Sequence, residues 1–216
     1  MNRLTTLITA AFVLGILLMF RMPATADVDS QSVLSSMGVQ AEETSLGDLV
    51  ADAVRDAARA PVALVPAGSF REIMLSKGKV DPDDIAKCLQ YPEDKIAVVD
   101  LTGNQLLAAL ERSLSIYPQK NLGFLQVSGL KMTFDPTSPK GSRITAVDIG
   151  TQKLDESRIY QVAMPAPLAD GGNGFFTIWG KDKSRLTKTT VSKAVSDFLT
   201  SKTSVNYDDS NRINAK

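Results

Sequence analysis

Histidine is absent from all 216 residues. That gap removes the imidazole general base, the Ser-His nucleophile pair and every metal site that depends on an imidazole ligand. Cysteine occurs once, which rules out an internal disulfide and the paired-cysteine zinc patterns. An excess of either charge is missing too. The chain carries 24 Lys plus Arg and 24 Asp plus Glu, so no broad basic face for nucleic acid is expected. With 44% hydrophobic and 22% charged residues, the composition is that of a globular protein, enough for one domain or two small ones.

The only long apolar stretch is TLITAAFVLGILLMF at 6–20. Arg3 precedes it, and Ala24-Thr-Ala26 closes it in an A-x-A pattern before Asp27. This is the layout of a secretory signal peptide over 1–26, cut before Asp27. A run of 15 residues is short for a membrane span, which needs about 20. Arg21 after the run keeps an uncleaved anchor open as the alternative. The expectation is an exported protein, periplasmic or secreted, with no membrane attachment after cleavage. Cys88, in DDIAKCLQ, has no cationic cluster in its sequence surroundings and reads as a small buried hydrophobe rather than a reactive thiol.

Residues 27–41 are polar and small without a period, which predicts a flexible lead-in. Ser45 and Asp48 form a capping-box-like pair ahead of apolar residues at helical spacing, from Leu46 to Ala57. Pro61 ends that helix, and VALV at 62–65 reads as a buried strand. A short helix is expected from Asp81-Pro82 and a strand over KIAVVDL at 95–101. Thr102 with Gln105 is a second capping box, opening a helix that Pro118 ends. The period then changes to two: strands over 124–127, 130–134, 143–149 and 160–164, with a turn cluster DPTSPKGS at 135–142. A last helix covers about 188–201, and the polar tail, 202–216, is expected to fray. Helices and strands mix without strict βαβ alternation, which predicts one α+β domain over 42–201, of mixed sheets flanked by helices.

No carboxylate pair stands out for acid–base chemistry. Asp48, Asp81, Asp83, Asp84 and Asp135 all fall at expected caps or turns. Binding is the better-supported chemistry. Arg55 and Arg71 each sit near the end of an element, placed either to grip an anion bidentately or simply to be solvated. The loop Asp170-Gly171-Gly172-Asn173-Gly174 either lets a ligand approach the backbone or is a tight turn. Phe124 is either core or a stacking platform.

Four segments then shift the balance. ETSLGDLVADAVRDA (43–57), KIAVVDLTGNQLLAALERSL (95–114), GFLQVSGLKMTFDPTSPKGSRITAVDI (123–149) and YQVAMPAPLADGGNGFFTI (160–178) follow one another in an order and spacing that resembles the C-terminal domain of 5′-nucleotidases. In that family this domain binds the nucleotide. A separate metallophosphoesterase domain supplies two divalent metals and the catalytic histidine. The resemblance therefore implies a nucleotide or nucleoside ligand, no metals held by this chain, and a metallophosphoesterase chain as the catalytic partner. By the same resemblance, Arg71 falls on the arginine of the NGGGIR motif that contacts phosphate, and Arg55 falls on or near another phosphate-side arginine. Phe124 matches one of two aromatics that sandwich the base. Asn173, beside Gly171 and Gly172, stands where the family's GGDG aspartate binds the ribose.

Three positions depart from the pattern. Pro66 replaces the NGGG asparagine, Pro167 replaces the second sandwiching aromatic, and Tyr91-Pro-Glu-Asp94 stands where the family has P-F-G-N. A base stacked on one side only loses roughly 5- to 150-fold in affinity. The alternative is thus a non-enzymatic binding or structural protein that reuses the fold after losing nucleotide binding.

Overall fold

The computed structural model describes residues 27–180, 184–208 and 210–216; the leader expected over 1–26 lies outside the described residues. In chain order the first half runs β1 (Val28–Ser30), β2 (Leu34–Ser35), α1 (Ser45–Ala58), β3 (Val62–Pro66), β4 (Met74–Leu75), β5 (Gly78–Val80), α2 (Pro82–Ala86), β6 (Lys95–Thr102) and α3 (Gly103–Ser113). The second half runs β7 (Leu125–Ser128), β8 (Leu130–Phe134), β9 (Ile144–Ile149), β10 (Gln152–Lys153), β11 (Ile159–Pro165), α4 (Ala166–Ala169), β12 (Ser184–Thr190), α5 (Val191–Thr200), β13 (Ser204–Val205) and β14 (Ile213–Ala215).

The centre is a five-stranded mixed sheet in the order β12-β6-β11-β3-β7. β11 and β3 are parallel and the other pairs antiparallel. All five residues of β3 are buried, so both faces of the sheet are covered there. α1 lies across β3, β7 and β11 and packs on α5, while α3 packs on β6 and β9. A second sheet, β10-β9-β8-β14, continues from β7 through the turn at Gly129. This is the α+β arrangement of mixed sheets and helices in a single domain that the sequence pattern predicts.

The caps explain where the helices begin. Thr102 and Gln105 form the complete reciprocal box at α3. At α1 the cap is Thr44, one residue before the expected Ser45; its Oγ1 accepts from the Gly47 N–H at 3.1 Å. Ser45 has other work: its hydroxyl donates to the Val33 carbonyl and accepts from the Ser35 N–H.

That contact belongs to a larger correction. The lead-in 27–41 and the tail 202–216 carry strands. β1 pairs with β5 and β13, β2 with β4, and β14 runs parallel to β8. These strands are two or three residues long, too short to show a period. They are held by side-chain anchors instead. Gln126 on β7 is fully buried, and its Oε1 accepts from the Thr44 N–H at 3.0 Å while its Nε2 donates to the Glu42 and Val39 carbonyls. Gly47 has to be glycine: a Cβ there would lie 2.2 Å from Gln126 Oε1.

The tail is anchored by charge. Arg212 donates from both terminal nitrogens to Asp52 on α1, at 2.8 and 3.0 Å, and its backbone N–H reaches Glu43 Oε2 at 2.7 Å. Tyr207 donates its hydroxyl to Asp52. Asp48, only 1% exposed, receives little of this charge; Arg212 Nε stands 3.6 Å away. Burial therefore pushes the Asp48 carboxyl up to about 8, with Arg212 offsetting only part of the penalty. Cys88 is buried, and burial pushes its thiol up to about 12, as suits an inert core residue.

The Asp48 shift fixes the sign of a stability effect. Between about pH 4 and 8 the unfolded chain ionises this carboxyl while the folded chain keeps the proton, so folding weakens as pH rises, by at most about 1.4 kcal/mol per pH unit. Asp48→Asn mimics the protonated form. Thermal melts should show the variant equal to wild type below pH 4 and progressively more stable up to pH 8. A constant offset across that range would mean that Asp48 is ionised in the fold.

Candidate functional site

A cleft of about 620 Å³ opens where β3 and β11 end and β6 begins. Parallel strands end here together, and ligands gather at such strand ends in mixed sheets. Pro66, Gly68, Ser69 and Phe70 form one side, Gln90, Tyr91 and Asp94 another, and Pro165, Pro167, Leu168, Gly172 and Asn173 the third; Leu122 closes the rim.

The Arg71 side is zipped by backbone. The Arg71 N–H donates to the Cys88 carbonyl, the Gln90 N–H donates to Ser69, and Phe70 bridges Leu89. The Arg71 guanidinium is exposed and not among the residues that line the cleft, but its Nε donates at 3.0 Å to Oε1 of Gln90, which is. Asp94 faces the same space, and burial raises its carboxyl above the ordinary value.

The Gly-rich loop is fixed from behind. Arg112 on α3 donates from Nε and Nη2 to the Asn173 carbonyl, at 3.2 and 2.7 Å. Its guanidinium also lies over the Phe175 ring, which stacks on Trp179. Asn173 takes a left-handed φ of 54°, and Gly174 one of 80°. A Cβ on Gly174 would lie 1.9 Å from Arg112 Nη2, so both φ and space demand glycine. The Asn173 side chain faces the cleft, with Nδ2 close to Gly68.

The six sequence-derived candidates are thus divided. Gly172 and Asn173 line the cleft, Gly171 opens their loop, and Arg71 is outside the lining, bonded to the lining residue Gln90. Arg55 and Phe124 are elsewhere. Arg55 is near the end of α1, beside the start of β3 and so at the opposite end of that strand from the cleft. Its Nε donates to Ser128 Oγ at 2.7 Å, and Ser128 in turn donates to Asp52, so Arg55 belongs to the network that anchors the tail. Phe124 is 1% exposed and lies in the core. Its N–H is held by the Asn121 carbonyl and its own carbonyl by the Ala67 N–H, a turn that sends the ring inward and leaves Leu122 on the rim. Gln90 and Arg112 are not legible in the sequence, whereas Asp94 ends the Tyr91-Pro-Glu-Asp94 stretch noted there. Gln90 and Asp94 lie in an irregular segment, and Arg112 reads as an ordinary last-turn arginine.

The comparisons bear on the family and the fold. The family model described as "5′-nucleotidase, C-terminal domain" matches residues 23–179, and the chain belongs to that family. An apyrase from Aedes albopictus is 33% identical over 147 residues, 62% of this chain and 26% of the apyrase. A 5′-nucleotidase precursor from Thermus thermophilus superposes with a TM-score of 0.77 at 27% identity, over 87% of this chain and 39% of that one. A sulfate thiohydrolase, also from Thermus thermophilus, shares the fold with a TM-score of 0.65 at 19% identity, over 87% of this chain and 34% of that one. The chain thus spans between a quarter and two-fifths of these relatives' lengths.

Removing the brace should loosen the loop without unfolding the domain. Arg112→Ala should cost about 0.5–1.5 kcal/mol, since its contacts with Asn173 are exposed to solvent. Amide hydrogen exchange should accelerate at 172–176 and stay unchanged in β3 and β11. Unchanged exchange at 172–176 would show that the loop holds itself.

Proposed function

We propose that this member of the 5′-nucleotidase C-terminal domain family recognises a nucleotide or nucleoside in nucleotide breakdown, after export to the periplasm or the medium. Asn173 carries the reading: it is presented into the cleft in a conformation that Gly174 and Arg112 impose, at the position where the resemblance puts ribose binding. Its amide can accept from one hydroxyl and donate to another. Arg71, an exposed cation bonded to the lining residue Gln90, would reach a phosphate from beside the cleft. Between them, Pro167, Leu122 and Tyr91 offer apolar surface for a base.

Hydrolysis, on this reading, takes place on two divalent metals held by a metallophosphoesterase unit on another chain, and this domain orients the substrate for it. The absence of histidine from the sequence supports that division of labour.

One observation favours a second reading. Phe124 is in the core and Pro167 stands at the second aromatic position, so neither of the family's stacking rings faces the cleft. A protein that keeps the fold and binds a ligand of other chemistry would look the same there.

Calorimetric titration with AMP and adenosine separates the two. Micromolar to millimolar AMP binding is expected. Arg71→Ala should weaken AMP roughly tenfold and leave adenosine unchanged, because one charge-assisted contact is worth about one decade. Asn173→Gly, which avoids strain at a positive φ, should weaken both. No heat with either ligand, from folded protein, would favour the second reading.

A further inference from the structure

We infer that Asp94 selects the base, so that the cleft prefers guanine, whose edge presents two adjacent N–H donors, to adenine; the inference rests on the nucleotide reading above. Asp94 lines the cleft, and among the described residues its carboxylate makes no hydrogen bond and no ion pair. Burial raises this carboxyl, and no neighbouring cation offsets the shift. A free, charged acceptor in a partly buried wall attracts donors and turns a phosphate away. With the phosphate at Arg71, the base is the part of the ligand left to meet Asp94.

The backbone fixes this position. The Asp94 N–H donates to the Tyr91 carbonyl at 3.2 Å and closes the turn Tyr91-Pro-Glu-Asp94. The Asp94 and Pro92 carbonyls accept the N–H groups of Val191 and Ser192, at 2.9 and 3.0 Å. These residues open α5, and the first N–H groups of a helix have no partner inside it, so turn and helix fix each other. Tyr91 lines the cleft from the same turn and is 57% exposed. One closed turn thus carries a ring for the face of a base and a carboxylate for its edge.

Among the common bases, guanine alone sets two N–H donors side by side, at N1 and N2, where one carboxylate can accept both. Adenine and cytosine place a single amine beside a ring-nitrogen lone pair, which would meet the second carboxylate oxygen in repulsion. Uracil flanks its one N–H with two carbonyls. A hydrogen bond to a charged group contributes about one to two decades of affinity, so the missing donor is enough to discriminate.

Calorimetric titration of the full chain with GMP, IMP, AMP and XMP tests this. GMP should bind roughly tenfold or more tightly than AMP, and IMP, which lacks the N2 amine, should fall between them. Asp94→Asn keeps the shape of the side chain and the backbone contacts of the turn, and replaces one acceptor by an amide donor. It should weaken GMP roughly tenfold and strengthen XMP, which has a carbonyl in place of the N2 amine. Arg71→Ala should weaken all four nucleotides alike and leave their order unchanged, which separates the base contact from the phosphate contact. AMP bound as tightly as GMP, or an unchanged preference for GMP in folded Asp94→Asn, overturns this inference and leaves the nucleotide reading standing. No heat with any of the four, from folded protein, overturns both.

Discussion

The buried amide of Gln126 is the contact on which the arrangement depends. It sits on β7, an edge strand of the central sheet whose four residues are nonetheless all buried, so each of its hydrogen bonds must be made inside the protein. They are made to Thr44, Glu42 and Val39, the segment that enters α1. A side chain on one strand therefore fixes the lead-in, the first turn of α1 and the need for Gly47 beneath it. Two residues on, Ser128 does the same for the end of α1, through Arg55 and Asp52, and Asp52 holds Arg212 and with it the C-terminal strand. With α1 pinned at both ends to β7, the antiparallel neighbour β3 is held as well, and the end of β3 is one wall of the cleft.

The cleft has a rigid frame and few polar contacts of its own. Backbone pairing zips the Arg71 side, and a guanidinium braces the Asn173 loop. Such preorganisation lowers the ordering cost of binding. Arg112 is the joint of this design, because it braces the Asn173 loop from behind.

Much of the fold was legible because the central strands and long helices carry strong periodic signals and complete caps, as at Thr102–Gln105. The edge elements were not. β1, β2, β13 and β14 have no room for a period, and the side chains that anchor them, Gln126 and Asp52, lie far away in the chain. The Gly-rich loop and Arg71 stand out in the sequence because their local chemistry is unusual, and the fold brings Gly172 and Asn173 to the cleft. Arg55 and Phe124 lie away from the cleft: in the segment GFLQVSG, as around Arg55, residues that resemble ligand contacts are tied into the frame. Sequence order does not reveal which end of β3 an arginine on α1 will face.

The central claim is that the cleft binds through Arg71 and Asn173 while Phe124 remains in the frame. A crystal structure of the chain with AMP tests it most directly. The account predicts phosphate at Arg71 and Gln90, ribose at Asn173, and the Phe124 ring still packed in the core. A Phe124 ring swung out and stacked on the base would contradict it, as would AMP bound beside Arg55.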